Sequence, residues 1–196
     1  MATADAGPEP GWVRAAARVV GVIDGLCRWS GYLVAWATLA TVILCFATVY
    51  LRYVMGTGLI WLQESYIWTH VVVIVLGAGY TMMSGGFVRV DVFYSRWSVR
   101  RRAVSDMMMT LFLLLPFLLV FGYAVWTFWM TSYASDEGSL NPGGMGNYWI
   151  LKASLLGFIF LVGLQGTAFV LRGLMVLAGH ERHALNHGGH GPEQTL

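Results

Sequence analysis

Few side chains in this sequence are of the types that do chemistry, and they are scattered. Arg52, Glu64 and His70 stand in YLRYVMGTGLIWLQESYIWTH, residues 50–70. His180, His183, His187 and His190 lie near the C-terminal end, and the two cysteines are Cys27 and Cys45. Haem held between helices needs paired axial ligands, yet only His70 lies within an apolar run. Thiol exchange needs a nearby second cysteine, and these two are too far apart. HERH at 180–183 is not the HExxH of zinc hydrolases, and the glycines that follow oppose a helix. No GxSxG elbow or phosphate-cradling glycine loop occurs. No catalytic residue, metal site or cofactor is therefore expected, and the chain does not read as an enzyme.

Glu64 needs a different account. A proton-coupled carrier places an acid near mid-membrane, but Glu64 lies about one turn past Trp61, at the edge of a run. Arg52 and Glu64 flank a short turn marked by Gly56 and Gly58. Each is expected to pair with the other or with a charge on a partner. Alternatively, Arg52 only snorkels to lipid headgroups. His70, about one and two-thirds turns beyond Glu64, is expected to bond across helices. Cys27 and Cys45 read as small apolar fillers, not a disulfide.

The elements that carry these residues are membrane spans. Apolar residues make up 57% of the 196-residue chain and charged residues 11%, where a soluble domain has about a quarter charged. Runs free of Asp, Glu, Lys and Arg cover 29–51, 65–88, 107–135 and 153–171. About 20 residues of helix cross the hydrocarbon. The fold expected is an all-α membrane protein with four transmembrane helices, at about 29–51, 61–84, 107–135 and 150–172. The first run is too long for a typical signal-peptide core and is expected to stay. Ten basic residues fall in the N-terminal segment, the loop after the second span and the tail, against Arg52 and Lys152 on the other side. Both termini are thus expected in the cytoplasm.

Within that frame, residues 1–10 read as disordered and 179–196 as a flexible His- and Gly-rich tail, leaving 29–178 as the transmembrane domain. Arg14, Arg18, Gly21, Gly25 and Arg28 recur at helical spacing, so 11–28 is expected to form an interfacial amphipathic helix, or else a plain extension of the first span. Gly77 and Gly79 should let helices approach closely. Pro116 should bend the third span. Gln165 needs a partner in the fourth. The Gly-, Asn- and Pro-rich stretch 136–149, with Asp136, Glu137 and Asn141, is the candidate docking surface for a soluble partner.

Taken in order, RY at 52–53, WLQE at 61–64, GGFVRVD at 85–91, GSLNPGGMGNYWILKA at 138–153 and LQG at 164–166 resemble the small (Q-type) membrane subunit of TRAP, tripartite ATP-independent periplasmic, transporters. The resemblance spans roughly residues 20–178. It departs at Gln63, where the family often has a second acid, and at Phe87, where it often has His. It implies a non-catalytic scaffold subunit in the bacterial inner membrane. The partners implied are a large membrane subunit, which would carry sodium-driven organic acid symport, and a periplasmic substrate-binding protein. Arg96, Arg100, Arg101 and Arg102 then read as topology anchors touching anionic lipids, and no nucleic acid is expected as a partner. Arg52, Trp61, Glu64, His70, Gly77, Gly79, Arg89, Asp91 and Gln165 are the candidate interface or structural residues. The alternatives are a small haem or redox membrane protein, or an independent oligomeric exporter.

Overall fold

The computed structural model describes residues 10–86 and 97–183. Expectations for residues 1–9, for Arg89, Asp91 and Arg96, and for the tail beyond residue 183 lie outside the described residues. Four helices are long and apolar enough to cross a membrane: α1 (Gly11–Tyr53), α2 (Ile60–Met83), α3 (Val99–Ala134) and α4 (Tyr148–Leu177). The described residues contain no strand.

α1 runs unbroken for 43 residues, about 64 Å at helical rise. Residues 11–28 are thus the first part of α1 and not a separate element. The reason is a second periodicity beneath the arginines. Val13, Ala16, Val20, Ile23, Cys27 and Ser30 recur at spacings of three and four and are all buried. All but Ser30 pack with Ala168 and Met175 of α4, while Arg14, Arg18 and Arg28 point outward.

The bundle alternates in direction. Val34 meets Gly77 and Gly31 meets Tyr80, so α1 and α2 are antiparallel. Gly163 meets Leu118 and Gly173 meets Met107, so α3 and α4 are antiparallel too. α4 is central and is touched by the other three helices. Gly79 is buried where α1, α2 and α4 meet. A methyl group there would stand 3.0 Å from Leu161 Cβ and 3.4 Å from Cys27 Sγ. Gly77 is looser: its added methyl would meet Val34 at an ordinary 3.5 Å.

α3 begins at Val99, eight residues before its apolar run, with Ser98 as its N-cap accepting from the Arg101 N–H. Pro116 disturbs it in a specific way. Proline cannot donate to the carbonyl four residues back and its ring crowds that turn. The helix widens just ahead of it into a π turn, Thr110–Leu114, with the Leu115 N–H reaching back to Thr110. Five residues per hydrogen-bonded loop give the crowded carbonyls room. α4 ends in a turn whose bonds run from His180 N–H to Met175 and from Gly179 N–H to Val176. A short 3-10 turn, Glu181–His183, follows. The first residues of the expected flexible tail therefore continue the fold.

Candidate functional site

Two polar constellations sit inside this bundle, one at each end. The first is built on Glu64, one turn into α2 and only 4% exposed. Its carboxylate does not pair with Arg52. It turns instead toward the loop between α3 and α4. Oε1 accepts from the Ser139 hydroxyl and from Asn141 Nδ2 at 3.1 Å, and Oε2 accepts from the Met145 N–H at 2.6 Å. The Tyr148 hydroxyl faces the same carboxylate. An anion this buried persists only where donors replace its water, and the loop supplies them.

The loop's sequence explains how. Asn141, Pro142, Gly143 and Gly144 form a turn closed by the Gly144 N–H on the Asn141 carbonyl at 3.0 Å. Proline suits its second position, and Gly143, at φ +78°, takes the third, where a side chain would strain the backbone. Gly144 then passes against the carboxylate. A Cβ there would lie 2.7 Å from Glu64 Oε1 and 2.5 Å from Ser139 Cβ. Backbone bonds from Ser139 N–H to Met145 and from Tyr148 N–H to Glu137 cinch the loop. A second anchor is the Glu137–Lys152 ion pair, with Lys152 Nζ 3.9 Å from the Phe128 ring centroid. Beside the Lys152 ammonium, the Glu137 carboxyl is held below its ordinary value of 4.5. Edge-on contacts of Trp68 with Tyr148 and of Tyr133 with Trp149 complete the loop end.

The second constellation lies toward the opposite end. Asp24 of α1 forms an ion pair with Arg172 of α4. Gln165, fully buried, donates from Nε2 to Asp24 Oδ1 at 3.4 Å and accepts from Cys27 Sγ at 3.5 Å. Ser30 adds a bond of 2.8 Å to the Leu76 carbonyl of α2. These contacts tie three helices together. Beyond α4, burial, with Arg182 and Arg172 nearby, holds the His183 imidazole below its usual range.

The expected residues are thus redistributed. Glu64, Asn141 and Glu137 converge on the loop, so Asn141 and Glu137 act inward as well as bordering the surface. Asp136 is exposed and follows the Ser135 C-cap of α3 in the left-handed region at φ +46°. Trp61 is half exposed. Arg52 is exposed in a cleft with Thr48, Gly58 and Gln63. His70 is exposed and bonds to no described residue, contrary to the bond expected across helices, because its face of α2 points out of the bundle. Gln165 finds the partner it needs. Asp24, Arg172, Ser139, Gly144, Met145 and Lys152 were not singled out by the sequence. Asp24 did carry a signal, as the lone acid between Trp12 and Trp29.

Among the described residues, no group of three or more His, Cys, Asp or Glu side chains is arranged to hold a metal ion. Both constellations can brace helices and a loop. No curated protein and no solved structure matches the chain. A family model described as "Tripartite ATP-independent periplasmic transporters, DctQ component" matches residues 41–175, which is most of the chain, and the protein belongs to that family.

Proposed function

We propose that the chain is the non-catalytic scaffold subunit of a TRAP transporter in the bacterial inner membrane, with both termini cytoplasmic. It braces the large membrane subunit, which carries sodium-driven uptake of an organic acid. It also presents the 135–147 loop to the periplasmic binding protein. The observation that carries this reading is the Glu64 latch. The acid one turn inside α2 is engaged in shaping a surface loop, so it acts as a fastening and not as a proton or ion site.

The rest of the chain is consistent with that role. Asp24, the acid near the other end of the bundle, is engaged by Arg172 and Gln165. Ten of twelve basic residues flank what would be the cytoplasmic side. Exposed Arg100 and Arg101 crowd the positive N-terminal end of α3, an arrangement that anionic lipid headgroups relieve. Exposed Trp12, Val19 and Leu26 beside Arg14 and Arg18 suit contact with the membrane surface.

The test is co-purification. A tagged copy expressed with its neighbouring membrane protein should retain that protein at equal stoichiometry in mild detergent. A monodisperse lone chain that transports solute by itself would overturn the proposal.

A further inference from the structure

We infer that one side of the α1–α2 pair seats a transmembrane helix of the large membrane subunit, gripped within the apolar run by His70. This rests on the subunit reading above. Positions 63, 67, 70 and 74 of α2 recur at helical spacing on one face, and all four are exposed. His70 lies six residues past Glu64, about 9 Å along the helix, inside the apolar run 65–88. A polar side chain there belongs against protein and not lipid. No described residue bonds to His70, and a partner helix would supply the bond it lacks.

The same side is shaped to receive a helix. Toward the loop end, Thr48, Arg52 and Gln63 line a cavity of about 370 Å³. Toward the other end, Gly31, Ala35, Gly77 and Ala78 floor a groove of about 440 Å³ bordered by Ile74 and Tyr80. Small side chains let helix backbones approach closely in lipid. The outer face of α3 differs: Leu119, Val120 and Tyr123 are all strongly exposed and mostly apolar, and lipid solvates them without help.

Charge argues against a second copy of this chain as the occupant. A two-fold dimer through this face would set Arg52 against Arg52 and His70 against His70 at equal depth. The fitting partner is a helix with small residues along the groove and a hydroxyl, amide or carboxylate opposite His70. Near Arg52 it would carry an acid or a free carbonyl.

A photocrosslinking side chain in place of Ile74, with Val120 as the control, tests this in the co-expressed complex. The expected result is an adduct to the large subunit from position 74 and none from 120. Adducts only from 120, self-adducts from 74, or no protein adduct from 74 in a complex that still co-purifies would each overturn this face while leaving the subunit reading standing. Loss of co-purification with the unmodified chain would overturn both. As a second readout, His70→Leu should weaken retention of the large subunit by about 3- to 20-fold, with His70→Gln close to the parent. Unchanged retention in His70→Leu would also count against the grip.

Discussion

The Glu64 carboxylate is met by Ser139, Asn141, Met145 and Tyr148 and by almost no water, so its removal orphans several groups at once. Hydrogen bonds to a charged group contribute about 1.5–3 kcal/mol each when one partner is deleted. Glu64→Ala should therefore lower stability by about 3 kcal/mol, read as a lower melting temperature in detergent and faster proteolytic nicking within 135–147. Gly144→Ala should produce the same nicking with Glu64 intact, since its methyl group would displace Ser139 and the carboxylate. A loop equally resistant in both variants would remove the latch from this account. The Glu137–Lys152 anchor adds a pH dependence. Because the folded carboxyl titrates below 4.5, its contribution is present above that value and fades as pH falls through the lower, folded one. Nicking near Glu137 should rise in acid, and Glu137→Gln should flatten that rise.

Helix contacts make a sharper contrast. Gly79→Ala pushes a methyl group against Leu161 and Cys27, whereas Gly77→Ala meets only Val34 at ordinary distance. The first should be destabilising by about 1–3 kcal/mol, and the second close to neutral in the same melting assay. Asp24 and Arg172 are both largely buried, so Arg172→Met alone should cost about 2–4 kcal/mol by stranding the aspartate. Adding Asp24→Leu should recover most of that loss. Additive losses would mean that the two side chains do not act as a pair.

These contrasts also mark where sequence reasoning stops. The four membrane-length helices were legible because lipid demands long uncharged runs; their starts at Gly11 and Val99, ahead of those runs, were not. The need of Gln165 for a partner was legible because buried amides must bond. The Asp24–Arg172 pair was not: its members are 148 residues apart, and each looks like an ordinary charge near a helix end. Glu64 was legible as an acid at the edge of a span, but the direction it turns was not. Arg52 is close in sequence, whereas its real donors lie some 75–81 residues away. The NPGG turn was visible as a turn, without any sign that its backbone would meet a carboxylate.

Taken whole, the bundle engages Glu64 and the Asp24–Arg172 pair as fastenings, and among the described residues His70 stands exposed on an apolar helix. On the proposed function, such a molecule braces a larger assembly and leaves the solute pathway to the large membrane subunit. The unbroken α1 fits that role, since a helix of about 64 Å reaches past the hydrocarbon and can carry contacts beyond it. The most direct measurement is uptake by proteoliposomes under an imposed sodium gradient, using a panel of radiolabelled organic acids. This chain alone should accumulate none, and uptake should appear only when the large membrane subunit and the binding protein are both supplied. Accumulation by the chain alone would contradict the account.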